Sequence, residues 1–280
     1  MKLQYHLPIP LLRPYIKLYA YYSINKEEAM ERVKFLPMGY VYLVMNLSDH
    51  FTIQRADINV TVASNATILV GQQETFYNLI PHGDLTSFSI IFQPTGMKRL
   101  LNVPVQELRC YGCPAELILK SQLTLLHEQL SIAQPNVLKM VNHADEFFLR
   151  LLHTAYSDYL YIDKVLDCIR ISQGLTHLKD LTNLTNMSGR TFRRRFLELA
   201  GTSCIKYITI TRFKHILHAL KCNNASFLNW SKVACNVGYY DQMHFIKSFK
   251  MLAGETPTGY LSRYNNPGNI LERYFMAAID

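Results

Sequence analysis

The stretch NWSKVACNVGYYDQMHFIKSFKMLAG, residues 229–254, decides the fold of the second half of the chain. Asn229 is a good helix cap, and Trp230, Val233, Ala234 and Val237 follow it at helical spacing. Ala234 is small where two helices must approach closely, and Gly238 makes the turn. Tyr240 and Asp241 open the next helix, with the Asp241 carboxylate favourable at its positive end. Along that helix Phe245, Phe249 and Leu252 face the core, while Gln242, His244 and Lys247 do not. Gly254 ends it. Two short helices joined by so tight a turn form a helix-turn-helix.

The same punctuation occurs earlier. Ile162, Val165, Leu166, Ile169 and Ile171 mark a helix that stops at Gly174. Thr176 is placed to cap a short helix carrying Leu178, Leu181 and Leu184, and Asn186 tolerates a left-handed turn. Ser188 caps a further helix from Gly189 to about Leu199, ended by Gly201. On it Phe192, Phe196 and Leu199 share one side, and Arg190, Arg193 and Arg194 share another. Three like charges on one face repel, a cost that phosphates or guanine edges would offset. Taken alone they read equally well as a solvated face; the repeated unit tips the balance. Between the units, Ser203 to about Lys221 reads as one helix of about 18 residues, on the order of 27 Å long. Such a rod suits two recognition helices set roughly 34 Å apart, one DNA turn, entering successive major grooves.

Charge agrees with this division. Residues 1–157 hold 13 Lys+Arg against 12 Asp+Glu, whereas residues 176–263 hold 13 against 4, a balance of +9. Such asymmetry sets one half against a polyanion, though charge alone does not separate DNA from RNA or a membrane surface. With 49% hydrophobic and 18% charged residues the chain is not largely disordered. It has no apolar run long enough to span a bilayer, and prolines interrupt its opening residues, so no membrane partner and a cytoplasmic address are expected. Six cysteines are too few for a disulfide scaffold, and the Cys110/Cys113 pair lacks a second pair at zinc-site spacing. No metal, cofactor or catalytic set is expected.

The first half reads as β-rich. Val41 to Leu47 and Thr67 to Val70 are short β-branched or aromatic runs, and Thr86, Phe88, Ile90 and Phe92 alternate as in a half-buried strand. Pro94-Thr95-Gly96 ends it, and a helical segment from Met97 to Leu101 follows. From about Leu117 the period becomes helical: Leu119, Leu123, Leu126 and Leu130 mark one face. Beyond Pro135, Val137, Met140, Val141, Ala144, Phe147, Phe148, Leu151 and Leu152 mark a broader one. These helices either cover the sheet or pair two copies of the chain, with a slight lean to the dimer. Tyr156 to Tyr159 is the expected junction, giving a β-rich domain over 1–157, a helical domain over 158–263 and a tail over 264–280.

From about Asp158 to Ser262 the chain resembles the AraC/XylS family of transcriptional regulators. The resemblance is densest from Val233 to Lys250 and over Gly254-Glu255-Thr256-Pro257-Thr258-Gly259-Tyr260, with Ser188 to Phe196, Gly201-Thr202-Ser203 and Arg212 also in register. Thr182 and Ile216 stand where the family has small alanines, Met243 where a small polar residue is common, and Leu261 where arginine often follows the tyrosine. More weakly, Phe35 to Gly39, Val70-Gly71-Gln72 and Phe92 to Gly96 resemble the cupin-like sensor domains that precede such modules. The implied fold is α+β: a β-rich sensor domain with flanking helices, then an all-α double helix-turn-helix domain. The implied function is sequence-specific binding of double-stranded DNA by a transcription regulator, an activator in contact with RNA polymerase. A small-molecule effector and a homodimer are further implied partners. Tyr15, Tyr19, Tyr21 and Tyr22 are either pocket liners or ordinary packing, and no effector-binding residues are named; His50 and His82 read as loop residues.

Carried over by position, the resemblance nominates Arg190, Thr191, Arg193 and Arg194 in the first unit, and Gln242, Met243, His244, Ile246 and Lys247 in the second. Arg grips guanine O6 and N7 bidentately and Gln does so for adenine. Lys206, Lys214 and Lys250 suit phosphate contacts. The alternative is an enzyme or repair-type protein with a helix-turn-helix appendage, but no Ser-His-Asp, H-E-x-x-H or phosphate-loop pattern supports it. A protein-interaction module is weaker still, given the basic balance.

Overall fold

The computed structural model describes residues 2–27, 32–56, 58–108, 112–119, 123–152, 160–222 and 229–264. The expected junction at Tyr156 to Tyr159, Cys110, and all but the first residue of the expected tail lie outside the described residues.

Among the described residues the first half has ten strands: β1 (Lys2–His6), β2 (Ile16–Ile24), β3 (Val33–Phe35), β4 (Val41–Asn46), β5 (Phe51–Arg55), β6 (Ile58–Val62), β7 (Thr67–Val70), β8 (Tyr77–Pro81), β9 (Leu85–Phe92) and β10 (Cys113–Pro114). They form two antiparallel sheets, one ordered β1-β2-β9-β4-β7-β10 and the other β3-β8-β5-β6. Helices α1 (Gly96–Leu101), α2 (Glu116–Leu119), α3 (Thr124–Ala133) and α4 (Val137–Leu152) follow.

Strand β9, in the middle of the six-stranded sheet, is buried on both faces, which corrects its half-buried reading: every residue from Leu85 to Phe92 is buried. Phe88, Ile90 and Phe92 point into a core shared with Leu119, Leu123, Leu126, Leu130, Met140, Ala144 and Phe148. Phe148 meets Phe92 edge to face at 5.6 Å. On the opposite side Ile91, with Leu18 and Ala20, packs on helical residues of the second half, while Tyr22 and Val70 meet Phe51, Ile53 and Leu79 of the smaller sheet. The apolar stripes of α3 and α4 thus serve the domain's own core. Tyr19 and Tyr21 are buried there too; Tyr19 donates to the Asp145 carboxylate at 2.8 Å, and burial pushes the Tyr19 hydroxyl pKa far up.

The second half comprises α5 (Leu160–Ile171), α6 (Leu178–Asn183), α7 (Gly189–Ala200), α8 (Cys204–Cys222), α9 (Trp230–Asn236), α10 (Gln242–Ala253) and α11 (Pro257–Tyr264). It is pinned to the first half at α5, where the Asp163 carboxylate accepts from Thr95 Oγ1 at 2.7 Å and from Arg99 at 2.6 Å. The Arg99 guanidinium lies over the Tyr15 ring at 4.4 Å. An ion pair that is both largely buried and hydrogen-bonded is costly to break from one side.

Candidate nucleic-acid interface

Each helix-turn-helix unit is held by the residues that punctuate it. In the first, Ile162, Val165, Ile169, Leu181, Phe192, Phe196 and Leu199 form a closed core. Asn186 takes the left-handed conformation that the turn requires (φ 52), and Ser188 Oγ accepts from the Thr191 amide at 3.3 Å, capping α7. In the second, Asn229 caps α9 by accepting from Ser231 and Lys232. Gly238 (φ 76) makes the turn, and Asp241 caps α10 by accepting from the His244 amide at 2.7 Å. Ala234, Phe245, Phe249 and Leu252 are buried as the spacing requires, with Trp230 stacked on Phe245 at 5.9 Å.

Some boundaries differ from the sequence reading. His177, not Thr176, precedes α6, and no side chain caps that helix. Ile171, Leu184 and Ile205, apolar residues of these helices, stand in solvent at 73%, 54% and 60% exposure. Each lies at or next to a helix end, where the helical period no longer dictates which way a side chain points.

Two features tie the units into one body. Helix α8 runs between them as the expected rod, with Ile210, Phe213, Ile216, Leu217 and Leu220 buried. From its middle, Arg212 reaches both units: Nε donates to the Gly174 carbonyl at 2.7 Å and Nη1 to the Gly238 carbonyl at 3.2 Å. Both acceptors are left-handed glycines, one ending α5 and the other following α9. The sequence marks Arg212 as a cation within an apolar helix, in register with the family resemblance; its bridging role depends on contacts between residues far apart in the chain.

The nominated residues divide into groups. Arg190, Arg193 and Arg194 are exposed on α7 and form no ion pair with any described residue, whereas their neighbour Arg195 is paired with Glu198 at 3.1 Å. Thr191 is half-buried and shares the Ser188 cap. On α10, Met243, His244, Lys247 and Lys250 are exposed, and the His244 ring meets Tyr239 edge to face at 5.2 Å. Gln242 is half-buried, with its amide oxygen accepting from Ser231 Oγ at 2.7 Å, so α9 orients that amide; sequence reasoning missed this partner. Ile246 is half-buried and packs against the core below α10. Lys206 is paired with Glu74, and Lys214 sits over the Tyr40 ring at 5.2 Å, so both are engaged by the first domain.

Among the described residues no cluster of side chains suits a metal ion. Burial raises the Cys113 thiol pKa and pushes Cys204 up to about 12, which disfavours the thiolate that alkyl transfer or redox chemistry needs. No described helix is long and apolar enough to cross a membrane.

A helix-turn-helix domain family matches residues 181–263, and a domain of unknown function (DUF6597) matches residues 4–113. No curated protein matches the chain. Similar solved structures include ToxT from Vibrio cholerae, 13% identical with a TM-score of 0.46 over 94% of this chain and 98% of that one. Another is ToxT bound to (E)-4-(8-methylnaphthalen-1-yl)but-3-enoic acid, 13% identical with a TM-score of 0.45 over 94% and 99%. The AraC-like transcriptional activator CuxR is 10% identical, with a TM-score of 0.22 over 98% and 91%. With two capped helix-turn-helix units and the rod that joins them, the region matched over 181–263 is a helix-turn-helix domain, in keeping with the resemblance of this half of the chain to the AraC/XylS regulators.

Proposed function

We propose that the chain is a sequence-specific activator that sets α7 and α10 into successive major grooves on one side of a duplex. The carrying observation is the contrast on α7: three exposed arginines stand without ion-pair partners among the described residues, on a helix whose opposite face is fully packed. In this reading Arg190, Arg193 and Arg194 meet guanine edges or phosphates, and Gln242, Met243, His244 and Lys247 read the second groove. Ile246 contributes only the edge of its side chain, and Lys250 meets phosphate. Selection of bound sequences from random duplex DNA with the full chain tests it. Two short motifs about one helical turn apart are the expected result; a single motif, or none, refutes the two-groove reading.

The finer roles belong to the same proposal. As an activator the protein contacts RNA polymerase, so transcript from a template carrying the selected site should rise when the protein is added. The effector seat lies between the two sheets, where Tyr22, Phe35, Tyr42, Phe51, Tyr77 and Ser89 help enclose about 30 Å³. That space fits about one water, so an effector enters by displacing the aromatic rings. A homodimer would use the outer face of α3 and α4, where Leu125, Ile132 and Leu138 are exposed; equilibrium sedimentation decides it.

A further inference from the structure

One loop of the first domain, Gly71 to Phe76, meets the C-terminal ends of both recognition helices through Gln72, Glu74, Thr75 and Phe76. At α7, the Gln72 side chain packs beside Gly201, the left-handed cap, which also sits against the Val105 carbonyl. Glu74 accepts from Thr202 Oγ1 at 2.7 Å with one carboxylate oxygen and pairs with Lys206 through the other. At α10, Thr75 Oγ1 donates to the Met251 carbonyl at 2.7 Å. The Phe76 ring covers Gly254, the second left-handed cap, so closely that no Cβ would fit there. Lys34 of β3 completes the grip: its Nζ donates to the Ala253 carbonyl at 3.1 Å, pairs with Glu255 at 2.7 Å and lies 4.9 Å from the Phe76 ring centroid.

The loop is itself anchored. Gln72 Nε2 donates to the Gly39 carbonyl at 3.0 Å, and Gly71 is pressed against the Leu108 backbone. It also runs from β7 in the larger sheet to β8 in the smaller one, so its position follows the separation of the two sheets. Ile68 and Val70 before it, and Tyr77 and Leu79 after it, line the space between those sheets.

We propose that this loop sets the distance and angle between the two recognition helices, which makes Glu74 and Phe76 positioning residues for the spacing of the two DNA motifs. Arg212 joins the units from within, at the turns; the loop holds their far ends from the neighbouring domain. Operator spacing is then a property of the whole chain rather than of the helical domain alone. Glu74 also engages Lys206, so a DNA phosphate must compete with a carboxylate for that ammonium. The inference rests on the two-groove reading above.

The test measures affinity of the full chain for duplexes carrying the two selected motifs at the selected spacing and at one and two base pairs more or less. Each base pair moves one motif by about 3.4 Å along the axis and turns it by roughly 35°. Wild type should lose about tenfold or more in affinity per base pair of change. Glu74→Ala and Phe76→Ala should flatten that profile to about threefold or less, and Glu74→Gln, which keeps an acceptor for Thr202, should fall between. A purely structural loss would lower affinity equally at every spacing and would overturn the proposal, as would variants with the wild-type profile. Should Phe76→Ala melt early, the two Glu74 variants still decide. If wild type binds no two-motif duplex specifically, the two-groove reading fails and this inference fails with it. If wild type binds two motifs but tolerates every spacing, only the inference fails.

Discussion

Replacing Arg212 with alanine should loosen both helix-turn-helix units at once. Its guanidinium spans two carbonyls that no other described side chain serves, at 2.7 Å to Gly174 and 3.2 Å to Gly238. A hydrogen bond from a charged donor contributes about 1.5–3 kcal/mol when sheltered. The Gly174 bond is partly buried and takes about 2 of this; the Gly238 bond is exposed and adds about 0.5. The expected loss is therefore about 2–3 kcal/mol, and at about 2–4 °C per kcal/mol the melting midpoint should fall by roughly 4–12 °C. Arg212→Lys offers a single point charge in place of the planar fork and should recover about half of the loss. Thermal unfolding followed by circular dichroism reads the effect, and DNA affinity should fall in parallel because the helices lose their fixed relation. An alanine variant melting within about 1 °C of wild type would refute the bridging role.

Further outcomes follow from local geometry. Asp241→Ala removes the cap of α10 and should cost about 1 kcal/mol, seen as a lower denaturant midpoint with an unchanged slope. Phe245→Ala empties a fully buried site between Trp230 and Phe249 and should cost about 3–5 kcal/mol; limited proteolysis should then cut the second unit first. Burial lowers the pKa of His127, whose Nδ1 lies 2.8 Å from Thr67 Oγ1. The unfolded chain therefore binds a proton more readily than the folded one. This contribution to stability is complete above the ordinary histidine value of 6.5 and is lost as pH falls through 6.5 toward the lowered folded value. The midpoint should drop on going from pH 7 to pH 5, and His127→Gln should shrink that drop.

The helical half was legible because its signals are local. Caps such as Ser188, Asn229 and Asp241 act within one turn, and left-handed positions at Asn186, Gly201, Gly238 and Gly254 need residue types that can be read directly. Where the local signal thins, apolar character no longer tells burial: near helix ends Ile171, Leu184 and Ile205 are apolar yet exposed. The β-rich half was legible in class but not in layout. Alternation in β9 implies one solvated face, whereas Ile91 shares a core with Ile210, Phe213 and other helical residues more than a hundred positions away in the chain. The partners of Lys206 and Lys214 were hidden for the same reason, since Glu74 and Tyr40 belong to the other domain. The Ser231 contact to Gln242 joins two neighbouring helices, and only the turn geometry at Gly238 brings them together.

The most direct test of the account is a salt titration of binding to the selected duplex for wild type, Arg194→Ala and Lys247→Ala, followed by fluorescence anisotropy. Wild-type affinity should fall linearly on a double-logarithmic plot, and each substitution should weaken binding by about 1–3 kcal/mol at fixed salt if the side chain reads a base. A salt-independent affinity, or both variants binding as tightly as wild type, would contradict the claim that the exposed faces of α7 and α10 grip DNA.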